Sequence, residues 1–345
     1  MDIQHQFPGV HWIWRGGISF VYEVHPSIVV KVPKSGEDER EQFRKEVEIY
    51  KIFSQHPPCA FVVQCFFYSS NGIFLEYMRD NTLSFRIQLN HIRDQEMIVT
   101  EVKQLEPLPL RKEWMNDLAQ AVAFLESLSL AHGDLRPENI LIDRNRLKLS
   151  DFDCTGRFGT DFEACVPPYG RILNGHEADQ GDRGTAGFLC PRTELFALGS
   201  LYYLINYGFE VYDDRYLTKD YKEQGPEIVD LLQSMIFPNL DGDPLIDAII
   251  DKCWHNKYPT VAELAAYTRG PFTQATSEAR NAELANDQNP NGDGYGDVDQ
   301  IHPAEDYVSK TRLCQDLEER GLLQLLSSDE PRKLGFTCEW YRHAS

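Results

Sequence analysis

The sequence has no pair of cysteines at the CxxC spacing that structural zinc sites and redox motifs use. Its eight cysteines stand apart, at Cys59, Cys65, Cys154, Cys165, Cys190, Cys253, Cys314 and Cys338. In a chain of 345 residues, long enough to bury a sizeable core, scattered cysteines read as free thiols and not as a disulfide framework. Long apolar runs are also missing. The longest, around LFALGSLYYLI, is well under the roughly 20 residues that span a bilayer. The opening MDIQHQFPGVHW lacks the basic-then-apolar pattern of a secretory signal, and no internal repeat occurs. Positive charge is in deficit: 34 Lys and Arg stand against 54 Asp and Glu, a net charge of -20. Such a surface repels nucleic acid and anionic membrane; beyond aiding solubility, it suits basic partners. The expectation is a soluble protein of the reducing interior, cytoplasmic or nuclear, with neither nucleic acid nor membrane as partner.

What is present is an ordinary globular composition, 42% hydrophobic, enough for about two average domains. From Gly16 to Tyr77 the pattern is mostly extended. FVYEV and SIVVKVP flank a His25-Pro26 turn, and FVVQCFFYSS and GIFLEYM flank Asn71-Gly72, the dipeptide of tight hairpins. Between these pairs, EDEREQFRKEVEIYKIF carries Phe43, Val47 and Tyr50 at helical spacing. After Tyr77 the chain turns helical. LRKEWMNDLAQAVAFLESL sets Trp114, Leu118, Leu125 and Leu128 on one face, and ELFALGSLYYLI and PLIDAIIDKCW read as buried helices. Residues 154–191, rich in Gly and Pro, show no period. From Gly270 to His302 Asn, Asp, Gly and Gln dominate, as in a linker. A last amphipathic segment, SKTRLCQDLEERGLLQLL, precedes an aromatic end, FTCEWYRH, which is expected to pack on the larger lobe or on a partner.

The stretch with the most chemistry is HGDLRPENILID, residues 132–143, followed by SDFD at 150–153. It holds Asp134 and Asn139, and SDFD adds Asp151. With Lys31 in IVVKVP and Glu46 one helix later, their order along the chain resembles the eukaryotic protein kinases over residues 10–268. More narrowly, it resembles the divergent kinase-like proteins of filamentous fungi, through RTELFALGSLYYLI and EWYRH. The resemblance implies an α+β, bilobal fold. It has a small antiparallel β amino-terminal lobe with one helix (about 10–78) and a larger, mainly helical lobe (about 79–268). An acidic flexible linker (270–302) and a helical C-terminal segment (303–345) follow.

It further implies ATP and Mg²⁺ as cofactors and a protein substrate. Asp134 orients and accepts the proton of the incoming hydroxyl, and Asn139 and Asp151 ligate the metal. Arg136, where most Ser/Thr kinases carry Lys, lends positive charge to the transferring group. Lys31 meets the phosphates and is held there by Glu46, with Glu48 as a competitor in register. Gly16, Gly17, Ser19, Val21, Val29, Lys31, Leu75, Glu76, Met78 and Leu141 line the nucleotide, and Phe152 packs beneath the helix of Glu46.

Four departures from the family pattern stand out. The phosphate loop is WRGGISFVY, with Trp14 and Ser19 in place of the first and third glycines. Gly133 replaces the Arg that receives activation-loop phosphate, and Asp153 replaces the glycine of DFG. No APE motif is placed: PPYGR (167–171) and GTAGFLCPR (184–192) both lack the Glu. Its usual Arg partner is also gone, Tyr258 preceding Pro259. Glu194 stands where the family has an Asp bracing the catalytic loop. The leading expectation is a protein kinase, of Ser/Thr type from DLRPEN. Two alternatives stay open, a pseudokinase scaffold and a small-molecule phosphotransferase. DQNPNGDGYGD holds Asp287, Asn289, Asn291, Gly292 and Asp293 at early calcium-loop positions. With Val298 at position twelve, it reads as acidic linker.

Overall fold

The computed structural model describes residues 3–270 and 303–344. The linker and its calcium-loop-like stretch lie outside the described residues. The chain is bilobal and divides into two compact units. Of the described residues, one holds 3–80 together with 303–344, the other 81–270.

The first unit is built on a five-stranded antiparallel sheet in the order β1-β2-β3-β5-β4. Its strands are β1 (His11–Arg15), β2 (Ser19–His25), β3 (Ile28–Pro33), β4 (Cys65–Ser69) and β5 (Gly72–Glu76). A short helix α1 (Ile3–Gln6) precedes them, and α2 (Glu37–Phe53) lies between β3 and β4. Three acidic residues, Glu37, Asp38 and Glu39, open α2 where a helix dipole favours negative charge. Both hairpins expected from the sequence form, and β1 joins them.

Alternation sorts the sheet's side chains. Val30 pairs with Tyr22 on one side and Phe74 on the other, and Val32 pairs with Phe20. Strand residues alternate faces, so Phe20, Tyr22, Ile28, Val30, Val32 and Phe74 share one face. The opposite face carries Val21, Val29, Lys31, Ile73 and Leu75, again as register partners: Val21 with Lys31, Lys31 with Ile73, Val29 with Leu75. All six residues of β3 are buried, as expected of a strand covered on both faces.

What covers the first face is the C-terminal segment. Helices α9 (Pro303–Glu319) and α10 (Leu322–Leu326) set Cys314, Leu317, Leu322, Leu323 and Leu326 into one core with the sheet, joined by Phe336 and by Ile3 and Phe7. Phe336 of the aromatic end thus packs on the small sheet, whereas Trp340 and Tyr341, expected to pack, are more than half exposed. Docking of a segment more than 220 residues downstream depends on a face that only strand register defines.

The second unit starts with α3 (Leu83–Gln88), capped by the Thr82 hydroxyl accepting from Phe85 N–H. A hairpin of β6 (His91–Arg93) and β7 (Val99–Val102), unforeseen from the sequence, leads to α4 (Leu108–Ser127). Then come β8 (Leu130–Ala131), the pair β9 (Ile140–Asp143) and β10 (Arg146–Leu149), and β11 (Gly156–Arg157). Helices α5 (Pro191–Tyr207), α6 (Gln224–Gln233), α7 (Pro244–Trp254) and α8 (261–270) complete it. The core of α4 includes Trp114, Leu118 and Leu125, three of the four residues on its expected apolar face; Leu128 is half-buried. Among the described residues, no helix is long and apolar enough to cross a membrane.

Candidate active site

The candidate residues form two constellations, one in each unit. In the first unit, Lys31 Nζ lies 2.6 Å from Glu46 Oε2, and the Glu46 side chain is fully buried. Helical periodicity puts Glu46 on the face of Phe43 and Tyr50, both buried. Its competitor Glu48 is exposed and faces Lys51 at 3.5 Å. Desolvating a carboxylate costs several kcal/mol unless a partner is held in place. Here β3 holds that partner, Lys31, between Val21 and Ile73.

Around Lys31, Val29 and Leu75 are direct register partners on the same face, and both are buried. The next chain segment is held by its backbone: Glu76 N–H donates to Gln64 O (2.8 Å) and Tyr77 N–H to Ser27 O (3.1 Å), with Met78 buried beside them. The turn at 16–18 closes with Gly16 N–H donating to Ser19 O at 2.9 Å, and Lys34 Nζ donates to Gly17 O. Ser19 is buried. A side-chain carbon on Gly17 would meet nothing, and neither Gly16 nor Gly17 takes a left-handed backbone. The fold itself therefore does not demand these glycines; the open space over Gly17 leaves room for a group that approaches the backbone closely. Trp14, opposite Val21 in register, is half-exposed.

The second constellation hangs on His132. Pairing of β8 with β11 brings the 132–134 loop beside 151–155. The buried His132 ring accepts from Asp134 N–H at Nδ1 (3.3 Å) and donates from Nε2 to Ser150 O (3.0 Å). Burial lowers its basicity, and nearby Asp134 and Asp151 oppose that push. Phe152, fully buried, meets the His132 ring edge-on at 5.3 Å. The Asn139 amide donates to both the Asp134 carbonyl and Asp134 Oδ2, each at 2.9 Å. That commits the amide NH₂ and turns the amide oxygen away. Asp151 takes a left-handed backbone (φ 65°), which Asp tolerates better than most residues; Asp153, at the glycine position of the family, does not. Arg136 Nε lies 3.3 Å from Glu138 and 4.0 Å from Asp134 Oδ2. Leu141, half-buried in β9, pairs with Lys148 and bridges to Thr82.

Glu194 and Gly133 complete the second constellation. Glu194, buried at the start of α5, accepts from His132 N–H (2.7 Å) and Gly133 N–H (3.4 Å). Burial raises its carboxyl from the ordinary 4.5 to about 7. Below about pH 4.5 the favourable effect of its extra proton affinity in the fold is complete, and it is lost as pH rises through about 7. Glu194→Gln is therefore expected to gain on the natural chain by roughly 2–3 kcal/mol between about pH 5 and about pH 7.5. Parallel urea melts at the two pH values measure this, and a pH-independent difference would contradict it.

Gly133 has φ +76°, and a side-chain carbon there would come 2.6 Å from Cys154 O. No other residue fits without moving backbone, so the family's Arg cannot be restored here. Gly133→Ala should lose about 2–4 kcal/mol in chemical denaturation, from left-handed strain and overlap together; a loss under about 0.5 kcal/mol would show that the loop has room. Farther along, the buried Arg171 at the end of PPYGR forms a double ion pair with Glu177. A local pair with Arg upstream thus braces this loop, a charge order that a search for a Glu could not find. Tyr258 is buried.

With that geometry in view, comparison with known proteins gives a consistent class. Residues 15–168 match the protein kinase domain family. The CBL-interacting serine/threonine-protein kinase 10 of Arabidopsis thaliana is 24% identical over 239 residues, 63% of this chain and 45% of that protein. The testis-specific serine/threonine-protein kinase 4 of Homo sapiens is 26% identical over 133 residues, 35% of this chain and 40% of that protein. The serine/threonine-protein kinase nekl-2 of Caenorhabditis elegans is 27% identical over 159 residues, 44% of this chain and 42% of that protein. The matches span less than half the length of each of these relatives. Over residues 15–168, a little under half of its length, the chain is thus similar to protein kinase domains.

Proposed function

We propose that the chain is an ATP- and Mg²⁺-dependent protein kinase that transfers the γ-phosphate to a Ser or Thr hydroxyl of a protein substrate. The observation that carries this is the buried Lys31–Glu46 pair. A fully buried carboxylate is costly to retain, and a binding scaffold has no use for an ammonium presented on that face of the sheet. The Ser/Thr assignment rests on the DLRPEN loop, with Pro137 and Glu138, and agrees with the names of the three relatives above.

The donor set fits the metal. Asn139 offers an amide oxygen because its NH₂ is spent on Asp134, and Asp151 offers a carboxylate. Hard oxygens in this small number suit Mg²⁺, which keeps waters and phosphate oxygens as its other ligands. When bound, the metal supplies charge neutralisation at the β- and γ-phosphates. Lys31 binds phosphate oxygens, and Glu46 holds it in place. Val21, Val29, Leu75 and Leu141 pack against the base, and backbone groups at Glu76 and Met78 meet its edge. The turn at Gly16, Gly17 and Ser19 covers the phosphates. Asp134, its carboxylate steadied by Asn139, orients the substrate hydroxyl and takes its proton. Arg136 adds positive charge near the transferring group. Catalysis of this kind is mostly positioning and electrostatics.

The test is incubation of the full chain with labelled ATP and Mg²⁺, with a basic protein and, separately, with amino alcohols. Label on Ser or Thr of the protein, abolished by a chelator, is expected. Nucleotide binding with no transfer would make the domain a scaffold, and label on the amino alcohols would make it a small-molecule phosphotransferase.

A further inference from the structure

The extreme C-terminal residues do more than cover the back of the sheet. Beyond Phe336 the chain reaches β1, where Glu339 N–H donates to Trp12 O at 2.7 Å. The Glu339 carboxylate lies 3.2 Å from His11 Nδ1. Three residues on, Arg342 grips Glu23 of β2 with both arms of its guanidinium, Nε at 2.7 Å and Nη2 at 3.2 Å. Tyr77 Oη donates to Arg342 O at 3.4 Å. A strap of four residues thus touches β1, β2 and the segment just after β5.

Where Arg342 lands matters more than that it lands. Glu23 is two residues from Val21, with no irregularity between them, and its register partner is Val29. By strand alternation Glu23 stands on the face of Val21, Val29, Lys31 and Leu75, opposite the face that α9 and α10 cover. The strap therefore passes round the sheet from the face of the hydrophobic core to the face of the buried lysine. Glu23 is itself buried. Its other cationic neighbour, Arg79, is at the 4.0 Å limit of an ion pair and is committed to Pro26 O through Nε and Nη2. Arg342 is thus the principal partner of a buried carboxylate on that face. Charge-assisted, two-armed pairs of this kind fix geometry as well as adding energy.

We infer that Arg342 is a positioning residue for nucleotide binding: it pins the β1–β2 hairpin, whose turn carries Gly16, Gly17 and Ser19, to the segment beginning at Tyr77. The inference rests on the proposed function for its nucleotide readout, but its mechanical half does not. Untied from Glu23, the hairpin is free to swing about its β3 edge, and the turn no longer keeps a set distance from Lys31. Residues 339–342 thereby tune how tightly the triphosphate is held.

The experiment compares the full-length chain with Arg342→Ala and Arg342→Lys. The guanidinium is one-third exposed, so both variants are expected to fold. For Arg342→Ala the ATP dissociation constant and KM rise about tenfold, while kcat at saturating ATP stays within about twofold; Arg342→Lys recovers part of the loss. Amide exchange across residues 11–25 quickens in Arg342→Ala and not across residues 83–131. Unchanged ATP affinity and KM in Arg342→Ala would overturn the inference. Should the natural chain bind no nucleotide, the proposed function fails by itself, and exchange at 11–25 alone decides: faster exchange upholds the tie, and unchanged exchange sinks it.

Discussion

Deleting residues 303–345 is expected to leave the five-stranded sheet unable to fold, although every strand of it lies within residues 11–76. The segment contributes Cys314, Leu317, Leu322, Leu323, Leu326 and Phe336 to the core, each less than a tenth exposed. Burying a large apolar side chain is worth about 1.5–3 kcal/mol, so these six account for on the order of 10 kcal/mol. Whole domains are stable by about 5–15 kcal/mol, so the loss is comparable to everything the unit has. The deletion also strips Phe20, Tyr22, Val30, Val32 and Phe74 of their cover and leaves a continuous apolar face on an antiparallel sheet. Such a face invites association. The expected result is a chain that aggregates or binds hydrophobic dye, with loss of cooperative melting in the strand signal. A soluble monomer of residues 1–302 with a single cooperative transition would refute the claim that the terminal helices are part of this core.

The second large effect concerns chemistry and not stability. Asp134→Asn should lower phosphoryl transfer by about 10²–10⁴-fold, the usual range for losing a positioned base. ATP affinity should change by less than about threefold, because Asp134 is proposed to touch the hydroxyl and not the nucleotide. Stability should also hold: the Asp134 backbone N–H still donates to His132, and the backbone carbonyl still accepts from Asn139. What the variant loses is the negative oxygen 2.9 Å from the Asn139 amide. Steady-state kinetics with an ATP titration separate the two constants. A variant with full kcat would remove Asp134 from the mechanism, and one that no longer binds ATP would mean that the 132–139 loop reaches the nucleotide itself.

Much of this protein was legible in the sequence because the relevant physics is local. Hairpins announce themselves by their turn residues, and α2 by its apolar spacing and acidic first turn. The 132–143 loop places Asp134 and Asn139 only five residues apart, close enough for one direct hydrogen bond. The β6–β7 hairpin was missed because its strands are three and four residues long and lack a tight-turn dipeptide. The Arg171–Glu177 brace was missed because a search for the family's Glu looks for the opposite charge at that position.

The sequence by itself therefore determined the class of fold, the acidic surface and the short motifs whose groups meet within a few residues of one another. Tertiary structure alone decided three things. It decided that Gly133 has no alternative, since the obstacle is the carbonyl of Cys154, 21 positions away. It decided which groups Glu194 braces, the backbone N–H of His132 and of Gly133, from a helix that begins almost sixty residues later. And it decided that the C-terminal helices belong to the first sheet, because an amphipathic helix specifies only that one face be buried. Which surface receives it is set by register across strands that the helix never sees in sequence.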